Sequence, residues 1–72
     1  MSVRDNVISN IRWIIEHDDG GNASAFARNI GVPRQTVNNW TKGRNTPDIE
    51  LIAIICDKYG KDLNWMILSS HE

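Results

Sequence analysis

The chain has 72 residues, 40% of them hydrophobic, and a formal net charge of −1, which together predict one small globular domain. A single cysteine argues against a disulfide framework. Neither a signal peptide nor an apolar run of about 18 residues occurs, so we expect a cytoplasmic protein that does not contact a membrane.

Apolar residues recur at helical spacing over residues 3–17 and predict a first helix there. Ser2 is its expected N-cap. Trp13 lies off the apolar face, and it either folds back onto a neighbouring loop, stays half-exposed, or contacts another protein. The expected inward face consists of Val3, Val7, Ile8, Ile11, Ile14 and Ile15.

Two short helices, over residues 23–30 and 34–42, are predicted on either side of Gly31. The first begins after the N-cap Asn22 and buries Ala23, Phe26, Ala27 and Ile30. Gly31 ends it, because glycine enters the left-handed conformation at low cost. Pro33 then starts the next helix, because proline is tolerated where the first-turn N–H has no partner anyway.

The helix over residues 34–42 has an unusual division of side chains. It buries Val37 and Trp40 and leaves four long polar side chains outward: Arg34, Gln35, Asn38 and Asn39. Arginine pairs with guanine, and glutamine or asparagine pairs with adenine, in the major groove of DNA. The exposed face of this helix is therefore suited to base edges.

Positive charge is concentrated around this helix pair. No Asp or Glu occurs from Gly20 to Pro47, a stretch that carries +4 and leaves −5 for the remainder of the chain. Such segregation predicts one face that attracts phosphate. The alternative is ordinary scatter of a few cations. The four positive residues are Arg28, Arg34, Lys42 and Arg44.

Two more helices are predicted over residues 48–59 and 62–69. Thr46 or Asp48 caps the first of these, and Asp62 caps the second. Cys56 falls on the inward face, which favours a small buried hydrophobe over a nucleophile or a metal ligand. The remaining inward residues are Ile49, Ile52, Ile55, Tyr59, Leu63, Met66 and Ile67. Residues 69–72 resemble the start of a linker, so we expect an oligomerising C-terminal domain in a longer protein.

Surplus apolar surface commonly marks a contact site, although a small helical domain also tolerates a few exposed apolar residues. The residues left off the buried faces of the last two helices are Leu51, Ile54, Trp65 and Leu68.

The spacing of Ala27, Gly31, Val37 and Trp40, followed by PDIELIAIICDKYGKDLNWMI, resembles the lambda-repressor-like (Cro/cI, XRE-type) helix-turn-helix family. The resemblance spans about residues 5–68 and implies an all-α, compact five-helix bundle whose second and third helices form the helix-turn-helix. By this resemblance, Arg34, Gln35, Asn38 and Asn39 read bases. The implied phosphate contacts are Asn22, Ser24, Arg28, Thr36, Lys42, Arg44 and Asn45.

Two positions depart from the family pattern. Ala23 stands where a phosphate-holding glutamine is frequent. Thr41 stands where a glutamate often pairs with an arginine of the first helix. Arg12 is the matching arginine, so we expect this brace to be missing or replaced.

The resemblance implies a repressor of phage or prophage type that binds a palindromic double-stranded operator as a homodimer, with Leu51, Ile54, Trp65 and Leu68 as candidate dimer contacts. The alternative is a protein-interaction module, such as an antitoxin-like or adaptor domain, that binds a partner through Trp13, Ile54 and Trp65. We expect no enzyme, metal or cofactor, because the sequence has no nucleophile–base pair, ligand spacing or phosphate-cradling glycine loop.

Overall fold

A computed structural model describes residues 2–70 and confirms the predicted all-α, five-helix bundle. The predicted linker extends beyond Ser70 to residues outside this range. No helix in the described part is long and apolar enough to cross a membrane. The helices are α1 (Val3–Asp18), α2 (Ala23–Ile30), α3 (Arg34–Thr41), α4 (Ile49–Tyr59) and α5 (Leu63–Leu68).

Short polar side chains start four of the five helices by accepting a hydrogen bond from a first-turn backbone N–H. Ser2 Oγ accepts from Asp5 N at 3.0 Å. Asp48 rather than Thr46 caps α4, because its Oδ1 accepts from Leu51 N at 2.9 Å. The remaining two caps are Asn22 for α2 and Asp62 for α5.

The core lies where α1 packs against α3 and α5 while α2 packs against α3 and α4. Its centre consists of fully or almost fully buried side chains: Val7, Ile11, Ile14, Phe26, Val37, Trp40, Ile55 and Met66. Cys56 is buried too, as predicted, and burial together with the nearby Asp62 carboxylate raises the pKa of its thiol.

Three apolar residues predicted to face inward are exposed instead: Val3 at 53%, Ile49 at 63% and Leu63 at 47%. Each is the first residue of its helix. The Cα–Cβ bond of a helical residue tilts toward the N-terminus, so a side chain in the first position extends past the end of the helix. Periodicity placed these residues on the correct face but beyond the point where a neighbouring helix covers them.

The apolar face of α1 includes three buried polar residues that the sequence analysis did not identify: Asn6, Ser9 and Asn10. Asn10 is fully buried, and its Nδ2 lies 2.6–2.9 Å from the carbonyl oxygens of Trp65, Met66 and Ser69. Asn6 Nδ2 donates to Ile67 O at 2.8 Å. The last carbonyls of a helix have no partner within it, so α1 supplies the C-terminal cap of α5.

Tyr59 joins α4 to α2 and to the end of α1. Its ring stacks on Phe26 with centroids 5.4 Å apart. Its hydroxyl donates to Asp19 Oδ2 at 2.7 Å and accepts from Asn29 Nδ2 at 3.0 Å. Burial of the phenol, with the Asp19 carboxylate beside it, raises the pKa of Tyr59 to about 12.

We expect Asn10→Ala to lower the free energy of unfolding by about 1–3 kcal/mol, because it leaves buried carbonyls of α5 without a donor. Urea unfolding followed by circular dichroism measures this. Asn64→Ala, an exposed position on α5, is the control and should change stability by no more than about 0.5 kcal/mol. Equal unfolding midpoints for the two variants would contradict the capping role of Asn10.

Tyr59 should make stability depend on pH at the alkaline end. The raised pKa disfavours the phenolate in the folded state, so this contribution is complete below pH 10 and is lost as pH rises toward about 12. Tyr59→Phe lacks it, so the stability difference between wild type and variant should shrink across that window. Urea unfolding at several pH values measures the difference, in which other titrating groups cancel. A constant difference would show that Tyr59 ionises equally easily in both states.

Candidate nucleic-acid interface

The turn between α2 and α3 consists of Gly31, Val32 and Pro33. Gly31 adopts a left-handed conformation, with φ of 79°, and its N–H donates to Ala27 O at 2.9 Å. Val32 N donates to the same oxygen at 3.0 Å. Pro33 is the N-cap of α3 and makes no side-chain capping bond. The sequence pattern therefore identified the turn and the residues that form it.

One side of α3 is buried and the other is open. Val37 and Trp40 lie in the core, with 0% and 2% of their surface exposed. Arg34 and Gln35, in the first turn, are exposed. The other polar residues of this helix, Thr36, Asn38, Asn39 and Thr41, are half-buried. Arg34 and Gln35 thus project from α3 as predicted, whereas Asn38 and Asn39, also predicted to point outward, are half-buried. The first turn is the most accessible part of the helix.

Asn39 links the exposed first turn of α3 to the loop that follows the helix. Its Oδ1 accepts from Gln35 Nε2 at 3.4 Å and from Arg44 Nη1 at 3.5 Å. Both hydrogen bonds are long and therefore weak. They align three polar side chains along the open side of α3 and leave them easily rearranged.

The loop after α3 is held by backbone hydrogen bonds, which leave its side chains outward. Gly43 N donates to Trp40 O at 3.0 Å, and Arg44 N donates to Asn39 O at 2.9 Å. Gly43 has a φ of 75°, which only glycine adopts readily. Lys42, Arg44 and Asn45 are exposed around it. The loop thus presents two cations and an amide beside the open face of α3.

Helix α1 braces the end of α3. Arg12 Nε donates to Thr41 O at 3.0 Å, and Arg12 Nη2 donates to the same oxygen. Thr41 uses its own hydroxyl to donate to Asn38 O at 3.1 Å. The glutamate–arginine pair of the family pattern is therefore replaced, as expected, by Arg12 bonded to a carbonyl at the end of α3. The helix dipole favours a cation at this position.

The candidates on and before α2 lie near its two ends. Asn22 is exposed, and its Oδ1 accepts from Ala25 N at 3.0 Å, so its Nδ2 is the group that remains for another acceptor. Ser24 is half-buried in the first turn, and Arg28 is exposed in the last turn.

The candidate dimer contacts differ in exposure. Leu68 is 69% exposed and Ile54 is 40% exposed, whereas Leu51 is half-buried. Trp65 is half-buried, and its ring packs edge-to-face on Trp13 with centroids 5.4 Å apart.

Lys61 covers both of these tryptophans. Its Nζ lies 4.7 Å from the Trp13 ring centroid and 5.1 Å from that of Trp65. Of the alternatives for Trp13, the structure shows a half-buried ring that packs against its own domain, stacked on His17 with centroids 4.1 Å apart.

No group of three or more His, Cys, Asp or Glu residues within residues 2–70 could hold a metal ion. Cys56 and Tyr59, whose pKa values are raised, lie on α4 and not on the open face of α3; Cys56 is buried and Tyr59 is half-buried against the core. The arrangement offers hydrogen-bond donors, acceptors and positive charge for binding.

A comparison with models of known protein families identifies the family to which this chain belongs. A helix-turn-helix family model matches residues 11–66, which is most of the 72-residue chain. The protein is therefore a DNA-binding helix-turn-helix regulator. It belongs to the XRE-type, Cro/cI-like helix-turn-helix family. Comparisons with curated proteins and with solved structures give no match.

Gly31 offers a direct test of the turn. A Cβ at this position would meet no atom within 4 Å, so the cost of a side chain is conformational rather than steric. We expect Gly31→Ala to lower the free energy of unfolding by about 1–2 kcal/mol, and Gly31→Asn by less, because asparagine adopts the left-handed region more readily. Urea unfolding ranks the three proteins. An alanine variant as stable as wild type would mean that the turn does not require the left-handed conformation.

Proposed function

We propose that this domain binds a specific double-stranded DNA sequence through the major groove and acts as a transcriptional repressor of phage or prophage type in the cytoplasm. The observation that carries this proposal is the division of α3: Val37 and Trp40 are buried, while Arg34 and Gln35 are exposed in the first turn. Bound at a promoter, the protein would block polymerase by occupancy.

Base reading is assigned to Arg34, Gln35, Asn38 and Asn39. A guanidinium grips guanine O6 and N7 with two hydrogen bonds, and an amide does the same for adenine N6 and N7. Each such pair discriminates against the wrong base by about 1–3 kcal/mol. Asn38 and Asn39 are half-buried and therefore less accessible than Arg34 and Gln35. To bind a base, Asn39 first has to break its weak hydrogen bonds to Gln35 and Arg44.

Phosphate contacts fix the register of the protein on the duplex but carry no sequence information. The loop after α3 supports this assignment best, since its cations are exposed beside the reading face. The residues proposed for this role are Asn22, Ser24, Arg28, Thr36, Lys42, Arg44 and Asn45.

A homodimer on a palindromic operator follows from the same proposal, because two copies related by twofold symmetry read half-sites about 34–36 Å apart. Exposed Leu68 and Ile54 support a contact around α5, with Leu51 and Trp65 at its half-buried edge. Four residues alone would make a weak interface, since lasting ones generally bury more surface.

The alternative, a protein-interaction module, required Trp13, Ile54 and Trp65 as exposed apolar surface. Ile54 is exposed, whereas the two tryptophans are half-buried. Their packing on each other and under Lys61 favours the DNA-binding proposal instead. Salt dependence separates the two functions. A reader holding about five phosphates should lose affinity with a log–log slope of about −4 to −5, whereas an apolar partner site would barely respond.

Selection of bound duplexes from a random pool tests the proposed function, and variants of α3 test the readers. Arg34→Ala or Gln35→Ala should weaken binding to the selected site by about 1–3 kcal/mol and relax one base position in a repeated selection. Fluorescence anisotropy gives the affinities, with a random-sequence duplex as the control. Equal losses on both duplexes would remove these residues from the reading set. A pool that enriches no motif would overturn sequence-specific binding itself.

A further inference from the structure

The first turn of α1 reaches the loop that follows α3. Arg4 is exposed, and its Nη2 donates to the carbonyl oxygen of Gly43, a residue 39 positions further along the chain. In the sequence, Arg4 lies outside the acid-free stretch and belongs to the part of the chain with net negative charge. In the fold, its guanidinium lies beside the loop that carries Lys42 and Arg44.

Two further observations place α1 beside the end of α3 and the loop that follows it. Ile8, one turn after Arg4, is buried, and its Cδ1 lies 4.0 Å from the place where a side chain on Gly43 would begin. Arg12, two turns after Arg4, donates to Thr41 O. Residues four apart on a helix share one face, so Arg4, Ile8 and Arg12 form a single row against the end of α3.

The bond to Gly43 leaves most of the Arg4 guanidinium open. A guanidinium has five N–H donors, and the hydrogen bond to Gly43 O uses only Nη2. Among residues 2–70, no carboxylate lies within ion-pair distance of Arg4, Lys42 or Arg44. Within residues 2–70, Gly43 thus lies between two cations in the sequence and accepts a hydrogen bond from a third, and none of the three has a carboxylate within ion-pair distance; phosphate oxygens could satisfy these cations.

We propose that Arg4 is a DNA-backbone contact of this domain, contributed by α1 to the phosphate-binding surface formed by Lys42, Arg44 and Asn45. The inference rests on the proposed function and adds a residue to it from a different part of the chain. The Gly43 carbonyl orients the guanidinium before DNA arrives, so little side-chain freedom is lost on binding.

Three variants of Arg4 separate charge from support of the loop. Arg4→Gln keeps a side-chain N–H donor for Gly43 O and removes the charge, whereas Arg4→Lys keeps the charge. Arg4→Ala removes both. Lys58→Ala is the matched control, because it removes one exposed cation from α4, away from the row on α1. Thermal melting followed by circular dichroism confirms that each protein is folded at the assay temperature.

The measurement is the affinity of each protein for a fluorescein-labelled duplex, at several salt concentrations, with the selected sequence and with a random one. Arg4→Gln and Arg4→Ala should bind both duplexes more weakly, with a log–log salt slope shallower by about one than wild type. Arg4→Lys and Lys58→Ala should keep the wild-type slope.

The outcomes distinguish a failure of the role proposed for Arg4 from a failure of the proposed DNA-binding function. A steep wild-type slope that Arg4→Gln leaves unchanged would remove Arg4 from the phosphate contacts and leave the proposed function intact. If wild type binds no duplex in a salt-dependent way, the proposed function fails, and this inference falls with it.

Discussion

The burial of Val37 and Trp40 determines which side of α3 faces outward. Both side chains are almost completely enclosed, so α3 cannot rotate about its axis without exposing a large apolar surface. Full burial of one such side chain contributes about 1.5–3 kcal/mol, more than any single polar contact on the open side of the helix. The orientation of Arg34 and Gln35 is therefore a consequence of the core.

Helix α1 stabilises α3 and α5, two of the helices that are too short to be stable alone. Helices of eight and six residues are marginal in water, and their terminal carbonyls need partners from elsewhere. Asn10 donates hydrogen bonds to such carbonyls in α5, and Arg12 donates to the last carbonyl of α3. A single helix therefore connects the candidate dimer region to the end of α3.

The sequence predicted the features that local chemistry determines. Caps such as Asp62 and the left-handed Gly31 depend on their immediate neighbours, and periodicity identified the core side of each helix. The exposure of Ile49 depends on where the neighbouring helix ends, and the spacing of apolar residues in the sequence gives no information about that. The bond from Arg4 to Gly43 joins distant parts of the chain, although the four-residue spacing of Arg4, Ile8 and Arg12 was a signal that the two arginines share one face.

The net charge of this molecule does not indicate whether it can bind a phosphate backbone, because acidic and basic groups lie in different parts of the fold. Acidic groups at the end of α1 have partners within the protein: Asp18 pairs with Lys61 at 3.8 Å, and Asp19 accepts from Tyr59. Arg4 of α1 instead bonds to the carbonyl oxygen of Gly43, whose partial negative charge holds a cation without cancelling its charge. An overall charge of −1 is thus compatible with a local surface on which Arg4, Lys42 and Arg44 have no carboxylate of residues 2–70 within ion-pair distance. Because such a surface acts at the short range that physiological salt permits, its local density matters more for binding a phosphate backbone than the sum over the chain.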